Sequence, residues 1–394
     1  MGKYDFELFG ELIIRTVRKP SRIWPFSNNA NRKLNIMKNK RTVLVTGCAG
    51  FIGSNFVRLV NNVCKDWRVI NLDKLTYAGN LNSLDDISSG DSYRFVKGDI
   101  CDAALIESLF AEENIDTVVH FAAESHVDRS ITGPAEFIQT NIVGTFTLLE
   151  AAKKHWLGTK EDIAGKCFLH VSTDEVYGSL GETGFFTEKT PFDPRSPYSA
   201  SKASSDHLAS AYFHTYGLPI KITNCSNNYG PYQFPEKLIP LIFNNALHEK
   251  NLPVYGDGKN VRDWLYVQDH CEAIVEVIVG GQFGHCYNIG GNNEKQNLEV
   301  VHVVCDLLDK KVGLAPSGNP RRSLVTFVDD RLGHDRRYAI DATKIKDHLN
   351  WQPKMTFEQG MEKTIDWYLA NRTWIDNIVN GAYQNYYENM YRRS

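Results

Sequence analysis

Two short segments of the chain carry side chains that could do chemistry together. The segment 172–178, with the sequence STDEVYG, places the adjacent carboxylates of Asp174 and Glu175 where an apolar run ends. The second segment has Tyr198 and Lys202 four residues apart, so on a helix they share one face. A tyrosine and lysine pair suits the oxidation of an alcohol, and two carboxylates suit the removal of a proton and a leaving group. Few kinds of enzyme need both.

The pairing of Tyr198 with Lys202 is physically able to produce a base. An unperturbed tyrosine has a pKa of ~10, so a phenolate near neutral pH needs a shift of about three units, or about 4 kcal/mol. A lysine ammonium at about 4 Å supplies a Coulomb energy of that order at an effective dielectric constant of about 20. A bound oxidised nicotinamide adds a second positive charge. We therefore expect Tyr198 to remove a hydroxyl proton as hydride leaves for NAD; the alternative is a pair on a helix surface.

The two carboxylates stand where ligands bind in an open α/β sheet, beyond the carboxyl end of a strand. Elimination of water beside a ketone needs one group to remove the acidic proton and another to protonate the departing hydroxyl. Asp174 and Glu175 can divide that work if their environments differ, and Thr173 could hydrogen-bond the oxygen being oxidised. The alternative is that Asp174 caps the following turn and Glu175 faces water.

A glycine-rich loop between a strand and a helix predicts a dinucleotide site. Gly47, Gly50 and Gly53 allow a tight turn and the close approach of a pyrophosphate to the helix N-terminus. Asp73, twenty residues beyond Gly53, can accept hydrogen bonds from the adenosine ribose, which favours NAD over NADP. The adjacent Lys74 weakens that preference slightly, and the alternative is a tight turn with an unrelated surface acid.

Strands and helices alternate from Arg41 onward, as in a doubly wound parallel sheet of the α/β class. Strand-like runs are found at 42–46, 69–72, 93–96, 117–121, 167–171 and 220–223. Helical stretches separate them, for example at 141–154 and 203–216.

Composition narrows the classes of function. The chain has 394 residues, 42% of them hydrophobic, and a net charge of -3, which predicts a large core and gives no reason to expect nucleic acid. No apolar run approaches the length of a membrane span. The eight cysteines lack the spacing of a zinc site, so we expect free thiols, no metal and a cytoplasmic protein. The basic segment 1–40 is expected outside the fold, either as a tail or because the functional start is Met37.

Taken together, these motifs resemble those of the dTDP-D-glucose 4,6-dehydratases, which are extended short-chain dehydrogenase/reductase proteins of nucleotide-sugar metabolism. The resemblance runs from about Arg41 to the C-terminus and rests on the segments 47–53, 73–80, 122–128, 172–178, 198–202, 224–230 and 334–338. The Thr-Asp-Glu triplet at 173–175 separates this family from epimerases of the same fold.

The resemblance implies a fold and an assembly. It implies an NAD-binding Rossmann domain at 41–226, to which later segments return, and a smaller C-terminal α/β domain at 227–394 that mainly binds the nucleotide sugar. It also implies a homodimer formed through a four-helix bundle. The candidate helices are the one from Asn141 and the one that bears Tyr198.

The resemblance further implies a reaction without net redox change. Tyr198 takes the C4 hydroxyl proton while hydride passes to NAD, Glu175 removes the C5 proton, and Asp174 protonates the C6 hydroxyl. Hydride then returns to C6, and the product is dTDP-4-dehydro-6-deoxy-D-glucose. NAD is expected to stay bound throughout.

The binding residues are also carried over by resemblance. The implied NAD-binding residues are Gly47, Gly50, Phe51, Ile52, Gly53, Asp73, Lys74, Thr76, Asp99, Ile100, Ala122, Ala123, Ser125, Thr140, Tyr198, Lys202 and Asn227. The implied substrate-binding residues are His126, Thr173, Asn227, Lys237, Leu238, Pro253, Tyr255, Arg262, Asn288 and His334. The planar fork of Arg262 suits a diphosphate. Lys237 could instead be a solvated lysine. The resemblance also implies Asp335 and Arg336 beside His334 at the diphosphate and nucleoside site, but Arg336 and Arg337 could equally be salt-bridge partners.

One loop departs from the family pattern, and three other functions stay open. The segment 330–335 reads DRLGHD where the family has Asp-Arg-Pro-Gly-His-Asp, so we expect a looser loop and weaker substrate binding but unchanged chemistry. A dehydratase of UDP- or CDP-glucose would keep most of these residues. A 4-epimerase would keep Asp73, Tyr198 and Lys202 without needing the carboxylate pair. A non-enzymatic NAD-binding module would be expected to lose at least one chemical group.

Overall fold

A parallel sheet of seven strands positions the segments on which these expectations rest. The computed structural model describes residues 40–87, 92–157 and 163–379. Its strands are β1 (Arg41–Thr46), β2 (Trp67–Asp73), β3 (Tyr93–Lys97), β4 (Thr117–His120), β5 (Cys167–Thr173), β6 (Ile220–Cys225), β7 (Asn227–Tyr229), β8 (Leu252–Tyr255), β9 (Val261–Tyr266), β10 (Cys286–Ile289), β11 (Glu294–Gln296) and β12 (Val325–Val328). The large sheet has the order β10-β6-β5-β4-β1-β2-β3, so the strand order reverses between β1 and β4. The predicted doubly wound parallel sheet is confirmed.

Helices cover both faces of this sheet. They are α1 (Phe51–Val63), α2 (Ala103–Glu113), α3 (Val127–Thr132), α4 (Pro134–Phe137), α5 (Thr145–Leu157), α6 (Pro197–Tyr216), α7 (Leu238–Leu247), α8 (Val267–Gly280), α9 (Asn297–Val312), α10 (Thr343–Leu349), α11 (Phe357–Ala370) and α12 (Arg372–Val379). A π-helical turn, Ile138–Gly144, joins α4 to α5, and short 3-10 turns lie at Leu81–Leu84, Asp174–Tyr177 and Arg321–Leu324.

The apolar run in β1 shows why this strand is buried on both faces. Val43 and Val45 point into the cluster that contains residues of α1 and α8. Leu44 points the other way, into the cluster formed with α2 and α5. Each such side chain contributes about 1.5–3 kcal/mol when it is fully buried. The continuous apolar sequence therefore holds the sheet between two helical layers and leaves its carboxyl edge for polar residues.

The helix that carries Tyr198 begins earlier than the predicted stretch at 203–216. The Ser196 hydroxyl accepts a hydrogen bond from the Ser199 amide at 3.0 Å, and Pro197 occupies the first helical position. These are the preferred residues at a helix N-terminus. The cap therefore places Tyr198 in the first turn of α6.

A third apolar cluster is built mainly from later residues of the chain. It joins α7, α9 and α11 around Phe243, Val301 and Phe357. Two small sheets, β11-β9-β7 and β12-β8, lie beside it. The segment from α8 to β10 instead packs on α1 and extends the large sheet. The division into domains at 226 and 227 stays a prediction.

All eight cysteines are free thiols, six of them buried and two partly buried. In the described ranges, no helix combines the length and apolar character required to cross a bilayer. The predicted N-terminal extension at 1–40 lies outside the described residues except for Lys40.

Candidate active site

A cavity of about 310 Å³ opens at the carboxyl edge of the large sheet. It lies where the strand order reverses, which is the usual ligand position in this architecture. Every residue predicted to bind NAD lines it, and so do the five predicted catalytic residues, Thr173, Asp174, Glu175, Tyr198 and Lys202. The fold thus brings together segments that are far apart in the chain; the role of each residue stays a prediction.

The glycine loop forms a cradle that side chains would fill. Gly47 has a φ of +78°, and a Cβ placed there would lie 2.7 Å from the amide nitrogen of Ala122. A Cβ on Gly53 would lie 2.4 Å from the carbonyl oxygen of Gly47. The loop therefore packs backbone against backbone at the N-terminus of α1, which leaves room for a pyrophosphate. These residues fit a dinucleotide.

Replacing Gly53 by alanine is expected to lower stability and the amount of NAD that is retained. The new Cβ meets backbone atoms, which cannot move aside, so we expect a loss of about 1–3 kcal/mol. Thermal unfolding and the NAD content of the purified protein measure the two effects. The matched control is Gly181→Ala, because no heavy atom lies within 4 Å of the Cβ position at Gly181. An unchanged melting temperature in Gly53→Ala would contradict the cradle.

Asp73 is fixed at the end of β2 with its carboxylate beside the cavity. Its Oδ2 accepts a hydrogen bond from the Ala49 amide at 2.8 Å, and its Oδ1 accepts one from the Leu75 amide at 2.8 Å. Burial raises the pKa of Asp73, and these two hydrogen bonds oppose the rise. Lys74 pairs with Asp99 at 2.8 Å, so its charge is already partnered. These contacts orient the carboxylate so that it can accept hydrogen bonds from ribose hydroxyls.

Asp73→Asn is expected to weaken NAD binding about 10- to 100-fold. The amide turns one acceptor into a donor and removes the charge, and hydrogen bonds to charged groups contribute about 1.5–3 kcal/mol each. Calorimetry on protein freed of nucleotide measures the affinity. Asp85→Asn is the control, since it makes the same change at an exposed aspartate outside the cavity. Equal NAD affinities of the two variants would show that Asp73 does not contribute to NAD binding.

The carboxylate pair follows β5 in a 3-10 turn whose cap is Thr173. The Thr173 hydroxyl accepts a hydrogen bond from the Glu175 amide at 3.3 Å and contacts Asp174 Oδ1 at 3.3 Å. The structure therefore contradicts the alternative in which Asp174 caps this turn. Asp174 is 1% exposed, and its buried Oδ2 has no hydrogen-bond partner among the described residues. Glu175 is partly buried and lines the cavity, which contradicts the alternative in which it simply faces water.

The surroundings of the two carboxylates differ in the sense that acid and base roles require. Burial raises the pKa of Asp174 well above its usual value, and Glu175 adds to the rise. Burial also raises the pKa of Glu175, but there Arg331 and Lys237 lower it. The pKa of Asp174 thus lies well above its usual value, while two cations oppose the rise at Glu175, which suits Asp174 to the acid role and Glu175 to the base role.

Tyr198 and Lys202 are both buried on α6, and the Lys202 ammonium donates to the Val171 carbonyl oxygen at 2.9 Å. Burial raises the pKa of Tyr198 well above its usual value, Glu175 raises it further, and a hydrogen bond with Thr173 opposes the rise. The protein side chains alone therefore do not produce the lowered pKa expected from the Tyr-Lys spacing. Burial raises the pKa of Tyr198 more than the hydrogen bond with Thr173 lowers it, and a positive charge bound in the cleft would act in the lowering direction.

Several predicted substrate residues surround the cavity without lining it. Arg262 is 5% exposed, donates to the Asp335 carbonyl oxygen at 2.9 Å, and stacks 4.2 Å from the ring centre of Tyr338. Lys237 does line the cavity and donates to the Ser125 carbonyl oxygen at 2.9 Å, so it is not a solvated surface lysine. The other predicted substrate residues outside the lining are His126, Leu238, Pro253, Tyr255, Asn288 and His334.

Asn288 does not line the cavity, and its part in substrate binding stays a prediction. It is fully buried, its Oδ1 accepts a hydrogen bond from the Tyr177 hydroxyl at 2.8 Å, and its Nδ2 donates to the Phe186 carbonyl oxygen at 3.1 Å. Both ends of the amide are occupied by protein groups, so Asn288 ties β10 to the loop after β5. Pro253 is likewise inside β8, opposite Thr326 of β12. Its side chain is buried.

The four remaining substrate candidates are His126, Tyr255, His334 and Leu238, and their roles stay predictions. His126 is buried with Nδ1 4.0 Å from Asp128 Oδ2, and the Tyr255 hydroxyl donates to the same oxygen at 3.5 Å. His334 Nδ1 lies 2.6 Å from Asp330 Oδ1, and burial lowers the pKa of His334 to about 4. Leu238 starts α7.

The two arginines after His334 are paired outside the cavity lining. Arg336 binds Asp257 at 2.8 Å, and Arg337 binds Glu294 at 2.8 Å. Their interpretation as salt-bridge partners is confirmed.

Comparison with known proteins agrees with this geometry. A family model described as GDP-mannose 4,6 dehydratase matches residues 44–364. The dTDP-glucose 4,6-dehydratase of Xanthomonas campestris pv. campestris strain ATCC 33913 is 60% identical over 346 residues, which are 87% of this chain and 97% of the relative. The chain belongs to the dTDP-glucose 4,6-dehydratase family.

Solved dTDP-glucose 4,6-dehydratases share the fold. The Bacillus anthracis protein, in complex with NAD, has a TM-score of 0.76 and 50% identity, and the match covers 86% of this chain and 99% of that one. The Streptomyces venezuelae protein, with NAD and TYD bound, has a TM-score of 0.78 and 47% identity, again over 86% and 99%.

This chain has Leu332 where the family pattern has proline, and Leu332 is 76% exposed. The preceding Arg331 is absent from the predicted site residues, although it lies in the segment 330–335 that departs from the family pattern. Its Nη1 lies 3.6 Å from Asp128 Oδ1, and its buried Nε has no hydrogen-bond partner among the described residues. Arg331 also lowers the pKa of Glu175, so it belongs to the electrostatics of the site. The effect of Leu332 on substrate affinity stays a prediction.

Proposed function

We propose that this chain is a lyase that converts dTDP-D-glucose to dTDP-4-dehydro-6-deoxy-D-glucose. The observation that carries the proposal is the position of Asp174 and Glu175 in the same cavity as Tyr198 and the glycine loop. A 4-epimerase needs the tyrosine and the dinucleotide cleft, but it has no use for two carboxylates whose pKa values are set apart. Elimination of water needs both.

The cofactor is NAD. The cradle formed by Gly47 and Gly53 and the fixed carboxylate of Asp73 fit a dinucleotide with a free ribose 2′-hydroxyl. When bound, NAD accepts hydride from C4 of the sugar and later returns it to C6. Because the redox change cancels within one turnover, the protein has no reason to release the cofactor between turnovers.

Tyr198 removes the proton of the C4 hydroxyl. The Lys202 ammonium and the positive ring of the oxidised cofactor stabilise the phenolate, which burial alone disfavours. Thr173, at the end of β5, hydrogen-bonds the oxygen at C4 and keeps it beside Tyr198. The 4-keto group formed in this way makes the proton at C5 acidic.

Glu175 then acts as the base and Asp174 as the acid. Glu175 takes the C5 proton as a carboxylate, which Arg331 and Lys237 favour. Asp174 gives its proton to the C6 hydroxyl, which leaves as water and forms a C5–C6 double bond. After hydride returns to C6, Glu175 gives a proton back to C5. Glu175 thus ends the cycle as a carboxylate, while Tyr198 has gained the proton that Asp174 has lost, and exchange with water restores both groups.

The substrate is held between the cavity and the later segments of the chain. Arg262 and Lys237 supply positive charge near the carboxylates and suit a diphosphate, and His334, whose pKa burial lowers to about 4, can offer a neutral ring to the substrate. Asn227, whose buried Oδ1 has no hydrogen-bond partner among the described residues, lies in the cavity wall. The thymine nucleotide is the proposed carrier of the glucose, and UDP- or CDP-glucose are the competing substrates.

The proposed assembly is a homodimer through the helices of α5 and α6. Ile138 and Val143, in the turn that leads into α5, and Phe146, in the first turn of α5, are 53%, 37% and 45% exposed, and a cluster of exposed apolar side chains marks an interaction surface. The eight free thiols support a reducing compartment, so the proposed location is the cytoplasm.

An assay of the purified protein with dTDP-glucose, run in parallel with UDP-glucose, tests this function. We expect a 4-keto-6-deoxy sugar from dTDP-glucose, followed by mass and absorbance, without net accumulation of NADH. Turnover of UDP-glucose in place of dTDP-glucose would keep the mechanism and contradict the nucleotide preference. Inversion at C4 without loss of water would identify an epimerase.

A further inference from the structure

A row of buried polar side chains continues behind the proposed catalytic pair. Tyr198, Lys202 and Asp206 stand four residues apart on α6, so they share one face of the helix. Lys202 is 4% exposed and Asp206 is 2% exposed. A carboxylate buried this deeply destabilises the fold unless it is hydrogen-bonded and paired with charge. The reaction described above gives Asp206 no role.

Two neighbouring strands hold the Asp206 carboxylate. Its Oδ1 lies 3.0 Å from His170 Nε2 on β5, and its Oδ2 accepts a hydrogen bond from Asn224 Nδ2 on β6 at 3.2 Å. Asn224 Nδ2 also donates to the Thr173 carbonyl oxygen at 3.1 Å. These contacts fix the carboxylate one helical turn from Lys202 and connect it to the strand end that carries the proposed acid and base.

His170 supplies a hydrogen bond to Asp206 but no positive charge. It is fully buried, and burial lowers its pKa well below the usual value, with Lys202 lowering it further. The neighbouring His120, whose ring centre is 5.4 Å away, is buried and shifted in the same direction. Neutral His170 therefore donates from Nε2. Burial raises the pKa of Asp206 to about 6, and Lys202 is the neighbouring charge that opposes this rise most.

Lys202 in turn has few ways to remain charged. Its ammonium donates to the Val171 carbonyl oxygen, which carries no net charge. Burial lowers the pKa of Lys202, and Asp206 is the largest contribution in the opposite direction. A neutral Lys202 would leave the Tyr198 phenolate without one of its two stabilising charges.

We propose that Asp206 is a positioning residue for catalysis, whose carboxylate is the counter-ion of the Lys202 ammonium and is oriented by His170 and Asn224. The inference rests on the proposed function, because it concerns the proton transfer assigned to Tyr198. Asp206 acts on the reaction only through Lys202. The two side chains, both within the described residues, make no direct ion pair, because Lys202 binds the Val171 carbonyl oxygen and Asp206 binds His170 and Asn224. Asp206 therefore acts as a nearby opposite charge, and its loss makes the ammonium harder to maintain.

Other titratable groups face this pair from every element packed around it. They are Tyr198 and His207 of α6, His120 of β4, His170 of β5, Cys225 of β6, Cys286 of β10 and Tyr177 of the turn after β5. Burial raises the pKa values of both cysteines and both tyrosines and lowers those of His120 and His170. All six of these shifts favour the uncharged form of the group.

The experiment compares pH profiles of kcat for the unchanged protein, Asp206→Asn and Ser205→Ala. Ser205 is the control because it is fully buried on the same helix and donates to the Lys202 carbonyl oxygen at 2.8 Å, but carries no charge. In Asp206→Asn the alkaline limb is expected to move about one unit toward acid, since loss of a nearby opposite charge lowers the pKa of Lys202. The loss of kcat in Asp206→Asn relative to the unchanged protein should therefore grow as the pH rises. A uniform loss at all pH values, or an equal shift in Ser205→Ala, would overturn the proposal.

A direct titration of Lys202 decides the same point without any substrate. Carbon-13 NMR of lysine-labelled protein follows the Lys202 Cε signal, which Lys202→Met assigns. A lower titration midpoint in Asp206→Asn supports the counter-ion role, and an unchanged midpoint overturns it. Asp206→Ser removes the same charge without placing an amide against Asn224, so it serves if the asparagine variant fails to fold. If the unchanged protein does not turn over dTDP-glucose, the proposed function fails while this titration still tests Asp206.

Discussion

Glu175→Gln is expected to stop product formation while reduced nicotinamide accumulates on the protein. Glutamine has nearly the same shape but cannot remove the C5 proton, so the sugar is held after oxidation at C4. General base catalysis contributes about 10²- to 10⁴-fold, and we expect the rate of product formation to fall by that range. Rapid-mixing absorbance of the reduced cofactor and mass spectrometry of the sugar measure the two events separately.

Two outcomes would contradict the roles assigned to Asp174 and Glu175. Intact turnover in Glu175→Gln would refute the role assigned to Glu175. Loss of both the product and the reduced cofactor would mean that Glu175 also serves the oxidation. Glu182→Gln is the matched control, because it removes one charge at an exposed residue a few positions later, outside the cavity. It is expected to behave as the unchanged protein.

Tyr198→Phe is expected to block the reaction one step earlier. Phenylalanine fills the same buried position but has no hydroxyl to take the C4 proton, so neither reduced cofactor nor product should form. The expected loss is again about 10²- to 10⁴-fold. The same absorbance and mass measurements distinguish this variant from Glu175→Gln, because only Glu175→Gln should accumulate the reduced cofactor.

A second tyrosine on the same helix provides the control for Tyr198→Phe. Tyr212 is also buried on α6, but its hydroxyl donates to Glu150, outside the cavity. Tyr212→Phe is expected to cause a modest loss of stability, about 1 kcal/mol, with full activity. Reduced cofactor in Tyr198→Phe at the normal rate would show that another group accepts the C4 proton.

The parts of the fold that could be predicted are those whose cause is local. The β-branched run of β1 and the glycines after it define a strand, a turn and a helix within thirteen positions, from Arg41 to Gly53. Asp174 and Glu175 could be placed at a strand end because the apolar run before them stops. In each case neighbouring residues in the chain supply the signal.

The parts that could not be predicted depend on contacts between distant segments. Asn288 has the residue type of a substrate ligand, but Tyr177 and Phe186, over a hundred positions earlier, occupy its amide. The elevated pKa of Tyr198 depends on how deeply β5 and α6 bury its hydroxyl, which spacing from Lys202 does not reveal. Spacing in the sequence predicts which side chains can lie close together, but their pKa values depend on burial, which spacing does not show.

The proposed dehydration is tested most directly by following the hydrogen atom at C4 of the sugar. dTDP-glucose carrying deuterium at C4 is incubated with the purified protein, and the product is analysed by mass spectrometry and NMR. The account predicts a 4-keto-6-deoxy sugar with the deuterium at C6 and a solvent-derived hydrogen at C5, because Glu175 returns the C5 proton. Product that has lost the deuterium to solvent, or recovered sugar that keeps it at C4 with inverted configuration, would contradict dehydration through internal hydride return.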